Sequence, residues 1–267
     1  MKLISLRSVR SQTRAQWLGL GAIVAGVVTG LWGAGWAGAA LCAVGTGAVV
    51  LAELARTEAT LLQAARQQEA LIQLQPLLGD FPVWLGGWAA DPLVMRRAVE
   101  LVAERRPRLV VECGSGSSTV VLARCLRRLG AGRLVSLEHD PEFARRTLEQ
   151  LRLHGLADLV TLVTAPLVER PAPDGRSLRW YAPVYESALG EPIDLLVVDG
   201  PPGAGGPRAR YPAVPLLGPH LAPGCAILLD DGNRADEREI AETWAREQGW
   251  RATRLPTGRG AWLLERA

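Results

Sequence analysis

The segment LVVECGSGSSTVVLA, residues 109–123, sets Glu112, Gly114 and Gly116 as E-x-G-x-G between an apolar run and a helix-forming run. At a strand-to-helix turn, Gly114 can take a backbone conformation that a Cβ penalises, and Gly116 lets a ligand approach the main chain. The helix that follows begins with Ser117, Ser118 and Thr119, whose amides lack intrahelical acceptors and can meet a polar ligand. Glu138 lies 24 residues after Gly114, with His139 and Asp140 directly behind it. An acid at the end of the second strand of such a unit can accept hydrogen bonds from both ribose hydroxyls.

A second group of acids sits further on. Asp199 closes the apolar run IDLLVVD, and Asp230 and Asp231 stand within ILLDDGNR. If both runs are strands of one sheet, their carboxylates meet at the crevice and repel unless a cation, an arginine or protons intervene. An oxygen-ligated Mg²⁺ on Asp199, Asp230 and Asp231 is one answer. The loop GPPGAGGPRARYPAVPLL, residues 200–217, supplies another, because it brings Arg208, Arg210 and Tyr211 close behind Asp199. Either an arginine of a lid binds a substrate carboxylate or phosphate, or Arg210 pairs internally with Asp199 or Asp231. Asp199 is the first candidate for a base, followed by Asp231, with Arg210 and Tyr211 completing the catalytic set.

The elements that must hold these residues alternate from residue 90 onward. Helices are expected over 92–106, 118–129, 141–153 and 235–248, and strands over 108–113, 133–138, 159–164, 193–199 and 225–230. Two polar-flanked strands near 250–255 and 260–265 predict an antiparallel hairpin at the sheet edge. The fold class is therefore α/β, a Rossmann-like, seven-stranded, mostly parallel sheet ending in that hairpin. Residues 171–192, with Pro171, Pro173 and Gly175, read as an inserted loop, and Trp84, Trp88, Trp180 and Tyr181 as candidate acceptor-pocket aromatics. The four cysteines show no zinc or redox spacing, and those in strands read as small apolar residues.

The first 52 residues differ in kind. They hold Lys2, Arg7, Arg10 and Arg14 and no acid, so the chain's net +3 leaves the remainder at −1. A nearly neutral main body offers no footprint for nucleic acid. From Ala15 to Ala52 there is no formal charge, which predicts two transmembrane helices near 17–34 and 37–54, with Gly26 and Gly30 as a small-residue pair, in preference to one long tilted span or a signal peptide. Basic residues ahead of the first span favour a cytoplasmic N-terminus, hence a membrane protein with its catalytic domain cytoplasmic, in an inner or plasma membrane. The expected organisation is a basic segment 1–16, a transmembrane hairpin 17–54, a helical stalk and linker 55–89, and a catalytic domain 90–267.

The E-x-G-x-G loop stops short of G-x-G-x-x-G, since Thr119 holds the third position. This departure weighs against a nicotinamide dinucleotide, whose pyrophosphate site uses that third glycine. Residues 90–267 instead resemble the class I S-adenosylmethionine (SAM)-dependent methyltransferases, closest to the methyltransferase 24-like and small-molecule O-methyltransferase group. The resemblance implies that Glu112, Gly114, Gly116, Ser117 and Ser118 hold the methionine portion of SAM. It assigns Glu138 and His139 to the ribose side, and it places Ala165, in the stretch TAPL, beside adenine through its backbone. Asp199 borders the same cofactor. In the metal-dependent catechol-type relatives, Asp199 and Asp231 match the acids, but Gly232 stands where they carry asparagine and Lys2 is the chain's only lysine. The implied function is methyl transfer to a small-molecule or membrane-delivered acceptor, at oxygen in preference to nitrogen. A membrane-tethered, non-catalytic SAM-binding domain and an NAD-dependent oxidoreductase are the alternatives.

Overall fold

The computed structural model describes residues 14–31, 35–79, 82–83, 85, 89–171, 175 and 177–266. The chain divides into two compact units, one ending at Arg66 and one running from Gln67 onward. Trp84 and Trp88 lie outside the described residues.

In the first unit, helix α1 (Arg14–Leu31) is followed by the long helix α2 (Gly35–Leu78), whose 44 residues continue through the division. The two helices approach at glycines, where a Cβ on Gly45 would stand 2.5 Å from the Gly19 carbonyl oxygen and 2.7 Å from Ile23. Such contact distances require residues without side chains. The surroundings of Gly26 and Gly30, the pair expected from sequence, lie outside the described residues. Leu18, Val24, Trp36, Val44 and Leu51 point outward with their apolar surface uncovered. Among the described residues, Gly35–Leu78 is the one helix long and apolar enough to cross a membrane. The expected span 37–54 and stalk are thus a single helix, and Pro76 falls inside its last turn.

The second unit is a seven-stranded sheet in the order β3-β2-β1-β6-β7-β9-β8. Its strands are β1 (Leu109–Cys113), β2 (Arg133–Glu138), β3 (Val160–Thr164), β6 (Ile193–Val198), β7 (Leu221–Asp230), β8 (Trp250–Leu255) and β9 (Ala261–Arg266). The first five are parallel, and β9 runs antiparallel to both β7 and β8. β1, β6 and most of β7 are apolar on both sides because both sheet faces are covered. One face meets the end of α2 (Ala70, Leu74, Leu77), α3 (Pro92–Arg105) and α4 (Ser117–Leu129), with Leu151 of α5 (Pro141–Leu153) also buried there. The other face meets α8 (Ala235–Gln248), the short α7 (Ala213–Leu217) and the hairpin described next.

Local chemistry fixes the helix starts. Asp91 accepts from Leu93 N at 2.8 Å ahead of Pro92, and Asp140 accepts from Glu142 N at 2.8 Å ahead of Pro141. In each case the side chain satisfies an amide that the first turn cannot, and proline presets the backbone. The stretch 171–192, expected as a loop, instead holds β5 (Ser177–Tyr181) and the short helix α6 (Glu186–Leu189), and β5 pairs antiparallel with β4 (Leu167–Pro171) just ahead of it. β5 delivers Trp180 and Tyr181 into the core, both wholly buried.

Candidate functional site

The C-terminal ends of the parallel strands surround a cavity of about 670 Å³. Its wall brings together the turn from Gly114 to Ser118, then Glu138 and His139, and across from them Asp199, Arg210 and Asp231. Gly114 has φ +92°, and a Cβ there would crowd the Gly200 amide at 3.1 Å. Gly116 has φ +157°, and a Cβ there would meet nothing within 4 Å, so its surface is open toward a ligand.

Beneath this turn lies Glu112, buried and outside the cavity lining. Its Oε2 accepts from Thr119 Oγ1 at 2.6 Å and Ser136 Oγ at 2.8 Å, while Thr119 Oγ1 in turn accepts from Gly116 N at 2.9 Å. Burial pushes the Glu112 carboxyl up to about 7, against the opposing pull of the Ser118, Thr119 and Ser136 hydroxyls. The structure therefore gives Glu112 the task of shaping the glycine turn from below. Thr119, whose presence broke the dinucleotide pattern, is the link between them.

Glu138 is almost fully buried and lines the cavity. Its Oε2 accepts from Ser115 N at 3.0 Å and Ser115 Oγ at 3.1 Å, and its Oε1 from His139 N at 2.8 Å and Asp140 N at 3.0 Å. The carboxylate thus ties the β1 turn to the β2 turn, with two donors on each oxygen and the His139 imidazole 2.9 Å from Oε1. Ala165 is wholly buried outside the cavity lining, and its amide is spent on Glu138 O at 2.7 Å. Phe143, half-exposed on the first turn of α5, joins the wall beside His139. The sequence reading passed it over, although an apolar aromatic just after a helix cap was the available signal.

The opposite wall is ionic. The buried Arg210 guanidinium reaches Asp199 Oδ1 at 3.1 Å, Asp231 Oδ2 at 2.9 Å and the Asp230 carbonyl at 3.1 Å. Arg259, from the turn between β8 and β9, meets Asp230 at 3.0 Å and Asp231 at 3.4 Å. Arg234 adds a third guanidinium on Asp231 at 3.0 Å, and Glu237 lies 3.8 Å from both Arg210 and Arg234. Asp231 has φ +60°, an uncommon left-handed conformation for a residue other than glycine. Burial raises the Asp199 and Asp230 carboxyls, with Arg210 opposing at the first and Arg259 at the second.

Of the two sequence readings of Arg210, internal pairing is the arrangement found. It also bears on Mg²⁺. The space between Asp199 and Asp231 is bridged by a guanidinium, and no cluster of three or more metal-ligating side chains occurs among the described residues. These donors do not fit a divalent cation. Tyr211 departs from its expected catalytic place as well. Its hydroxyl donates to Glu247 Oε2 at 3.0 Å, its ring packs under Arg208, and it lies outside the cavity wall. Arg210 and Tyr211 are adjacent, so side chains sent to opposite sides of the loop cannot both face the ligand.

Residues 111–232 match a family model described as a methyltransferase domain. Over 65 residues the chain is 42% identical to a ribosomal protein L11 methyltransferase of Citrifermentans bemidjiense and 40% to one of Geobacter sp. strain M21. That stretch is 24% of this chain and spans 21% of each relative's length. The SAH-bound methyltransferase PaMTH1 of Podospora anserina superposes with a TM-score of 0.56 at 17% identity, covering 79% of this chain and 96% of that one. At this identity the likeness is one of fold.

Proposed function

We propose that this chain, whose second unit carries a SAM-dependent methyltransferase domain, moves the methyl group of SAM to a hydroxyl of a small, membrane-delivered acceptor. One observation carries the reading. The Gly114–Ser118 turn, Glu138 and Asp199 line a single cavity, on a sheet whose order suits that cofactor. Gly114, Gly116, Ser117 and Ser118 would hold the methionine portion, and Glu138 and His139 the ribose. Glu112 acts from below, through Thr119.

SAM, when bound, supplies a methyl carbon already made electrophilic by its sulfonium. The protein's task is to align the acceptor and take its proton. An acceptor oxygen forms the new C–O bond as the C–S electron pair returns to sulfur, leaving S-adenosylhomocysteine (SAH). The acceptor's proton passes to Asp199, whose carboxyl burial has made a stronger base than an exposed aspartate and which Arg210 fixes in place. Arg210 and Asp231 position that base. Neither needs a metal.

The uncharged stretch Ala15–Ala52, which spans α1 and the first part of α2 and packs at glycines, is read as a bilayer hairpin, with the basic N-terminus and the catalytic unit on the cytoplasmic side. A tether of this kind suits an acceptor that partitions into lipid. Calorimetric titration of the detergent-purified chain with SAM, SAH and NAD is the direct test. Saturable binding of the two sulfur ligands alone, together with labelled methyl transfer into membrane extracts, is expected. Binding without transfer would favour a tethered SAM-binding domain, and NAD binding an oxidoreductase.

A further inference from the structure

Tyr181 ends β5, and its hydroxyl arrives where the turns after β1 and β6 touch. A Cβ on Gly200 would stand 2.7 Å from that hydroxyl oxygen and 2.9 Å from Gly114 Cα, so the contact leaves no room for a side chain at 200. The ring is wholly buried and packs edge-on against Trp180, 4.9 Å between centroids and 79° between planes. The residue nevertheless lines the cavity, and its hydroxyl has no hydrogen-bond partner among the described residues. A buried hydroxyl left unpaired is costly. Such a group at a cavity wall is a donor awaiting an acceptor.

The acceptor can be named by elimination of charge and place. Burial, then Cys113 and Glu138, hold the phenol protonated, so it donates. The glycine turn it touches is the one read above as holding the amino-acid end of SAM. At that end the ammonium has no lone pair, whereas the carboxylate oxygens are strong acceptors.

We infer that the Tyr181 hydroxyl donates a hydrogen bond to the amino-acid carboxylate of the bound cofactor. The inference rests on the SAM reading and adds a binding residue from the hairpin, outside the glycine turn.

Calorimetry on full-length wild type and Tyr181→Phe, with SAH and with 5′-methylthioadenosine, tests it. The second ligand keeps the adenosine and thioether but lacks the amino-acid end. The expected result is a rise of about tenfold or more in the SAH dissociation constant with methylthioadenosine affinity unchanged. The ligand-free melting temperature should stay level or rise, since an unpaired buried group has been removed. Gly200→Ala, which keeps the phenol but crowds its hydroxyl, should show the same selective loss. Equal weakening of both ligands would move the hydroxyl to the adenosine side and overturn the assignment. Unchanged SAH affinity with a lowered melting temperature would make the hydroxyl structural. Wild type that binds neither ligand would sink the SAM reading itself, and this inference with it.

Discussion

The two walls of the cavity bury acids by different means. On the β1–β2 side, Glu112 and Glu138 are met by hydroxyls and backbone amides, with the His139 imidazole against Glu138. On the β6–β7 side, Asp199, Asp230, Asp231 and Glu237 are met by Arg210, Arg234 and Arg259. Neutral donors hold a carboxylate without adding charge to the wall. Guanidinium groups balance the buried acids and fix their geometry. The first wall is thus held by hydrogen bonds, and the second by charge.

Four experiments test this contrast. The largest effect is expected from Arg210→Ala, which strips a shared cation from buried carboxylates. A loss of about 3–5 kcal/mol in denaturant unfolding is predicted. A loss below about 1 kcal/mol would mean that Arg234 and Arg259 hold the wall alone.

Glu112→Gln probes the neutral wall through pH. Folding raises this carboxyl from 4.5 to about 7, so the folded chain binds a proton that the unfolded chain releases. That contribution is complete below about pH 4.5 and is lost as pH rises through about 7. The variant should therefore gain on wild type by up to about 3 kcal/mol between pH 4.5 and 8, at about 1.4 kcal/mol per pH unit. A stability difference independent of pH would remove the titration from Glu112.

Glu138→Gln should weaken adenosine-containing ligands about tenfold, near 1.4 kcal/mol, because one acceptor for the ribose is replaced by a donor. Unaltered affinity in a folded variant would place the ribose elsewhere. The smallest effect is expected from chelation. EDTA should leave the methyl-transfer rate within about twofold, because arginines already neutralise the acids. A loss restored by Mg²⁺ would return a cation to Asp199 and Asp231.

Much of this was legible from sequence because the signals are local. Apolar runs buried on both faces, Asp-Pro helix starts and the E-x-G-x-G turn each depend on a few adjacent residues. They placed the seven sheet strands and gathered Gly114, Glu138 and Asp199 around one cavity. What escaped depends on contacts distant along the chain. LVERP and SLRWY carry exposed polar residues and flank turn-forming prolines, so only packing of Trp180 and Tyr181 marks them as strands. Arg259 meets Asp230 because β7 and β9 pair with Asp230 opposite Ala261, a register that no local pattern displays. Tyr211 was misplaced for the same reason, since a loop's facing is set by what it packs on.

The strand order also has a kinetic side. β9 is the last strand in sequence yet lies between β7 and β8, so it is flanked by neighbours made earlier. On a ribosome, which releases about 5–20 residues per second from the N-terminal end, this half of the sheet waits for residue 266 to emerge. The turn bearing Arg259 emerges only just before it. Until then the Asp230 carboxylate lacks its guanidinium partner, so the nascent chain can order the β1–β2 side of the cavity before the β6–β7 side.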